Sequence, residues 1–192
     1  PKNTLVVADA IDDIITLDPG EVSELGGVLT ANQIYQPLVT VAPDDSSKII
    51  GVLAESWTAS EDGKTYTFKM RSGLKFASGN PVTAKDAEYS LRRVVLMKSR
   101  SAFILTQFGL TGENVAEKAK AADEGTFVFT VDKPYAPSFV LNCLTATVGA
   151  VLDKKLVMEH AVATTPNDEY KYDTDFGYAW MKTNYAGSGP FK

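Results

Sequence analysis

Cys143, in "FVLNCLTA", is the only cysteine of this 192-residue chain, and His160, in "LVMEHAVATTP", is its only histidine. Together they could form a thiol–imidazole pair, the least apparatus a small hydrolase needs, provided the base lies within hydrogen-bond reach of the sulfur. Neither carries a mark of activation. His160 falls near the C-terminal end of a predicted helix, where the helix dipole favours a cation-capable ring. A lone cysteine in an apolar run is ordinarily a small buried hydrophobe. One histidine and one cysteine leave a metal ion only carboxylates, and Asp12–Asp13 and Asp44–Asp45 are adjacent pairs without calcium-loop spacing. They read as turn formers. "GSG" at 187–189 lacks the third glycine of a dinucleotide fingerprint and precedes no helix. Carboxylate pairs for glycoside chemistry are defined by a separation in space, and nothing in the sequence singles a pair out. No catalytic residue, metal ligand or cofactor loop is therefore assigned.

The bulk composition narrows the classes further. The chain is 44% hydrophobic, 22% charged and 10% aromatic, which is that of a folded globular protein and long enough for a sizeable core. Its formal charge of −5, with no stripe of Lys and Arg, speaks against nucleic acid as a partner. The most basic run, "LRRVVLMKSR", is better explained as a packed helix. No apolar run approaches the ~18 residues of a membrane span. The single cysteine fits either the cytosol or a periplasmic protein without disulfides. What the chain does carry is aromatic residues near element ends (Tyr35, Trp57, Phe103, Tyr185); most aromatics in such a chain are core, and the remainder suits a concave binding surface better than an active site.

The elements that must position such a surface are mixed. "NTLVVADA" predicts an opening strand, and "LDPGEVSELGG" a loop broken by Pro19, Gly20, Gly26 and Gly27. "VLTANQIYQPL" places Leu29, Ile34 and Leu38 near helical spacing until Pro37. Two short strands flank the acidic turn "PDDSS". In "SWTASEDGKTYTFKM" a hairpin turns at Gly63 and points Tyr66, Phe68 and Met70 to one face. "PVTAKDAEYSLRRVVLM" starts a helix at Thr83, with Asp86 three residues on and Ala87, Leu91, Val94 and Val95 on one face. A short helix at "SAFILTQFG", a strand at "TFVFTV", and helices at "APSFVLNC", "VLDKKLVMEHA" and "DTDFGYAWMKT" complete the chain. Without a βαβ rhythm the fold class is α+β. The ending, "GSGPFK", stops on a turn and what reads as the first residues of a strand, so the chain is expected to be cut there.

In order and spacing, several segments resemble the family 5 extracellular solute-binding proteins, the peptide- and nickel-binding components of bacterial ABC importers. "LDPGEVSELGGVLTANQIYQPLV" is similar to the family's N-terminal segment. "LAESWTASEDGKTYTFKMRSGLKFASGNPVTAKDAEYSLRR" resembles its signature almost throughout, except that Ser72 stands where an acidic residue is frequent. "AGSGPFK" resembles the Gly-Thr-Gly-Pro-Tyr/Phe motif. The resemblance implies a periplasmic-binding-protein-like (type II, two-lobe) fold of which this chain supplies the N-terminal portion of lobe I. Residues 1–35 would begin the ligand-facing subdomain, 36–174 would form an extra scaffold subdomain containing the hairpin, and 175–192 would return to the ligand-facing part. It implies a non-enzymatic receptor, periplasmic or extracellular and membrane-associated, monomeric, binding a peptide or similar small polar solute for an inner-membrane ABC permease. Carried over onto this sequence, ligand contacts fall on Ser23, Glu24 and Leu25, with Phe103 after the "YSLRR" helix. The rival readings are a small hydrolase using Cys143 and His160, and a self-contained interaction module.

Overall fold

The computed structural model describes residues 12–166 and 172–191. The strand expected over "NTLVVADA" lies outside the described residues. The first helix, α1, spans Leu25–Ile34 and therefore begins inside the stretch expected to be a broken loop. Gly26 and Gly27 sit in its first turn because loop residues crowd them. A Cβ at Gly26 would come within 2.8 Å of the Asp13 carboxylate, and one at Gly27 within 3.3 Å of Val22. Close approach outweighs the ~1 kcal/mol helix penalty of glycine here.

Two antiparallel sheets come next. β1 (Val39–Ala42) and β2 (Asp45–Gly51) pair around the Pro43–Asp44 turn as a two-stranded ribbon. β3 (Ala54–Ala59) and β4 (Thr65–Met70) form the expected hairpin, with Trp57 opposite Phe68 and Gly63 at φ +67° in its turn. The second sheet has the order β3-β4-β6-β5, where β5 is Ala119–Asp123 and β6 is Thr126–Thr130. On its inner face Tyr66, Phe68, Phe127 and Phe129 are each fully buried. Each such side chain contributes roughly 1.5–3 kcal/mol of burial, so this sheet carries the main core.

Strand β5 has no counterpart among the expected elements, and "AKAAD" lacks the β-branched residues that mark a strand. Tertiary partners hold it instead. Helix α2 (Ala84–Leu96) lies on the sheet; its Glu88 carboxylate accepts the Ala121 N–H at 2.6 Å, and Arg92 Nε donates to the Ala119 carbonyl at 2.7 Å. Those bonds occupy an edge that would otherwise be open to pairing. The start of α2 is as expected: the Thr83 N–H and hydroxyl both donate to Asp86 Oδ2, at 2.9 and 2.7 Å. Its apolar face buries Ala87, Leu91, Val94 and Val95.

Short elements close the structure: α3 (Phe103–Thr106), α4 (Val115–Lys118), α5 (Pro137–Cys143), a 3-10 turn at Thr147–Gly149, α6 (Lys154–Glu159) and α7 (Tyr178–Met181). A second, smaller core gathers Val22, Ala31, Ile34, Tyr35, Leu152, Val157 and Met181. Tyr35, read as an aromatic at an element end, is one of its buried members, 4% exposed, with its hydroxyl on the Leu17 carbonyl at 3.0 Å. "GSG" is a packing motif. Gly189 donates its N–H to the Ile34 carbonyl at 3.0 Å, and a Cβ at Gly187 would lie 2.0 Å from that same oxygen. Among the described residues no helix is long and apolar enough to cross a membrane.

Candidate ligand-facing site

The loop before α1 is shaped by Asp18. Its carboxylate accepts the Gly20 N–H at 3.0 Å, and its carbonyl accepts the Glu21 and Val22 N–H groups at 3.0 and 3.1 Å. The same carboxylate, fully buried, meets the fully buried guanidinium of Arg93 on α2 through two bonds of 3.0 and 2.6 Å. Burial works against the Arg93 charge, yet the carboxylate opposite outweighs it and holds the guanidinium above its ordinary pKa. Arg93 Nε also donates to the Phe176 carbonyl at 2.9 Å, and the Tyr89 hydroxyl donates to it at 3.2 Å. Burial pushes the Tyr35 and Tyr89 phenols, which flank this pair, well above their usual value. Phe176 itself has φ +50°, a left-handed conformation rare outside glycine. One arginine thus fixes three segments: the loop after Leu17, helix α2, and the strained entry to α7.

The turn after α2 is stitched to the same loop. The Ser101 N–H and hydroxyl both donate to the Gly20 carbonyl, at 3.1 and 2.6 Å. Arg100 Nη1 donates to Ser23 Oγ at 2.9 Å, and the Arg100 N–H reaches Glu21 Oε1 at 3.3 Å. Ser23 directs its hydroxyl proton toward Glu24 Oε1 at 3.3 Å and gives its N–H to Oε2 at 3.2 Å. The backbone N–H groups of Glu24 and Ser23 lower the Glu24 pKa.

Two adjoining cavities open over this stitching. One, of about 140 Å³, is lined by Ile15, Thr16, Glu21, Glu24, Arg100, Tyr178 and Lys182. The other, of about 340 Å³, shares Glu21 and Tyr178 with it and extends to Met97, Lys98 and Asp175. Of the residues expected at the site, Glu24 lines the smaller cavity, and Ser23, which lines neither, bonds both Glu24 and Arg100. Leu25 begins α1 beside them with its side chain 73% exposed. Phe103 lines neither cavity; it begins α3, three residues beyond Arg100, and is 68% exposed. Sequence reasoning misses Arg100, Tyr178, Lys182 and the Asp18–Arg93 pair. One local signal does exist: an arginine among Leu91, Val94 and Val95 on a buried helical face requires an acidic partner somewhere.

A larger cavity, about 600 Å³, lies between the starts of α2 and α6. Its buried carboxylates are already occupied. Asp86 accepts from Thr83 and from the Lys154 N–H at 3.1 Å; Asp153 accepts from Ser78 at 2.6 Å, Asn80 at 2.8 Å and the Leu156 N–H at 3.1 Å. They act as helix caps.

Cys143 and His160 have separate surroundings. The Cys143 sulfur, at the end of α5, accepts from Gln107 Nε2 at 3.7 Å, and burial raises its thiol pKa, the reverse of activation. His160 ends α6, with its ring stacked on Trp180 at 4.5 Å and 6°. Among the described residues no group of three or more His, Cys, Asp or Glu is arranged to hold a metal ion.

The described residues present loops and a charged, shallow wall on a mixed scaffold of helices and antiparallel strands. The chain belongs to the bacterial extracellular solute-binding proteins, family 5, whose family model ("family 5 Middle") matches residues 48–192. It is 32% identical, over all of its own length and 33% of the relative's, to the probable D,D-dipeptide-binding periplasmic protein DdpA of Escherichia coli. It is also 32% identical, over 96% of its length and 34% of the relative's, to the glutathione-binding protein GsiB of that species. The structure of Haemophilus influenzae OppA in complex with the peptide RPPGFSPFR superposes with a TM-score of 0.73 at 28% identity, covering 92% of this chain and 33% of that one. The chain thus spans about a third of the length of the relatives it matches. The fold is that of a periplasmic binding protein, and these relatives are named as binding proteins rather than enzymes.

Proposed function

We propose that this chain is the N-terminal part of lobe I of a non-enzymatic solute receptor serving a bacterial ABC importer, with a peptide or similar small polar solute as ligand. The observation that carries the reading is the wall at Ser23, Glu24 and Arg100, held by the buried Asp18–Arg93 pair on the side of a lobe whose family binds solutes. Ser23, Glu24 and Leu25 would contact the solute, and the exposed Phe103 ring would flank it. Residues 1–35 and 175–192 would carry the ligand-facing part, and 36–174 the scaffold. The β3–β4 hairpin fits the scaffold role, since its inward residues are spent on the core and none lines the wall. Relatives named as periplasmic support a periplasmic or membrane-associated exterior location. Binding would favour closure of two lobes, and the closed form of a monomer would dock on the permease.

The test is calorimetric titration of the full chain as encoded against di-, tri- and oligopeptides, opines, oligosaccharides and nickel chelates. Saturable one-to-one binding of a peptide is expected. Absence of saturable binding across the panel would sink the receptor reading.

A further inference from the structure

The four methionines of the chain differ in access. Met70 and Met181 are buried, Met97 is half-buried, and Met158 on α6 is the most open, 37% exposed. Met158 lines the cavity of about 600 Å³ between the starts of α2 and α6, which is wide enough to admit small molecules. Its sulfur is also tied inward. The buried Tyr89 on α2 has one hydroxyl proton and two acceptors in range, the Phe176 carbonyl at 3.2 Å and the Met158 sulfur at 3.4 Å. Burial holds that phenol well above its usual pKa, so it keeps the proton to donate. A thioether is a weak acceptor, so the Phe176 carbonyl is favoured. That carbonyl belongs to a residue held at φ +50°, and it takes a second bond from Arg93 Nε at 2.9 Å.

We propose that Met158 is a reversible oxidation site of this chain, and that its sulfoxide draws the Tyr89 hydroxyl away from Phe176. The oxidant is a peroxide. A sulfur lone pair attacks one peroxide oxygen, and the S–O bond forms as the O–O bond breaks. The departing hydroxide leaves as water after taking up the proton shed by the transferred oxygen. Sulfur loses two electrons and the peroxide gains them. The product places a polar oxygen acceptor where the weak sulfur acceptor stood. The Tyr89 proton passes to that oxygen, which leaves Arg93 to hold the left-handed turn at Phe176. That turn opens α7, whose Trp180 stacks on His160 just beyond Met158. Both ends of the change therefore meet at one aromatic pair. The device does not depend on which solute, if any, the chain binds.

The experiment treats the full chain as encoded with hydrogen peroxide at neutral pH, following each methionine by peptide mass mapping and the tryptophans by fluorescence. Met158 should gain its oxygen first. The buried Met70 and Met181 should lag by about tenfold or more, since reagent reaches them only through opening of the fold. Tryptophan emission should shift in step with the Met158 sulfoxide and return when a methionine sulfoxide reductase removes the oxygen. Met158→Leu should abolish the shift. Tyr89→Phe should still be oxidised at Met158 yet show no further shift, because its Phe176 carbonyl has already lost the hydroxyl. Cys143 is present in every variant, so its own oxidation does not distinguish them. Oxidation of Met158 no faster than that of Met181 overturns the site. A shift that persists in Met158→Leu, a sulfoxide without a shift, or an equal shift in Tyr89→Phe overturns the coupling to Phe176.

Discussion

Breaking the Asp18–Arg93 pair tests whether the wall is held as described. Both side chains are fully buried, and the two bonds of 3.0 and 2.6 Å give the fork geometry at which such pairs are strongest. Arg93→Met would strand the Asp18 carboxylate with the Gly20 N–H as its remaining donor and would take the Nε bond from Phe176. Asp18→Asn would leave a guanidinium buried without a counter-charge. Each single change should cost about 3–5 kcal/mol, because an uncompensated charge remains inside. That is a large part of the ~5–15 kcal/mol that holds a typical domain together. The double variant leaves no buried charge, so its cost should fall short of the summed singles by about 2 kcal/mol or more. Urea unfolding of the three variants, followed by circular dichroism and tryptophan fluorescence, measures all of these terms. Singles costing under about 1 kcal/mol, as for an exposed pair, or strict additivity in the double, would refute the reasoning.

The geometry fixes three further outcomes. Gly187→Ala would push a methyl to 2.0 Å from the Ile34 carbonyl, against backbone that cannot yield cheaply, and should cost ~2 kcal/mol or more in urea unfolding; an unchanged midpoint would mean the "GSG" segment is not packed there. Asp86 is raised above its ordinary value of 3.8, chiefly by burial, so between that value and its higher folded pKa the folded state holds more proton than the unfolded one. Its contribution to stability must therefore decline as pH rises through that window, and Asp86→Asn should flatten this part of the profile relative to wild type. The Cys143 thiol, pushed up by burial, should react with a disulfide reagent at about pH 7 more slowly than free cysteine, and Cys143→Ala should leave solute affinity unaltered; fast labelling or lost binding would revive a reactive role.

Elements whose signals are local were legible. The hairpin is written as alternation around Gly63, and α2 as a Thr83–Asp86 start leading into an apolar face; both form where the residues place them. Elements made by neighbours were not. Strand β5 exists because Glu88, Arg92 and β6 hold "AKAAD" extended, and α1 starts early because Gly26 and Gly27 let the preceding loop pack against its first turn. In each case a tertiary contact outweighs a propensity worth at most ~1 kcal/mol.

The site divides along the same line. Ser23 and Glu24 came from resemblance and bond to each other, but Arg100, which bonds Ser23, sits 77 residues from it in sequence, and Arg93 sits 75 from Asp18. No periodicity can join residues so far apart. Two of the motifs that carried the resemblance, "LDP" and "YSLRR", prove to be halves of one device: the aspartate of the first is neutralised by the last arginine of the second. That arginine also grips Phe176 in its left-handed turn, so a single buried cation sets the loop, the helix and the entry to α7 against each other. On the proposed receptor reading, a wall built this way keeps its hydrogen-bonding groups in place before any solute arrives, which lowers the ordering cost of binding. Substitutions in the β3–β4 hairpin should therefore lower stability and spare affinity, whereas loss of Arg93 should lower both.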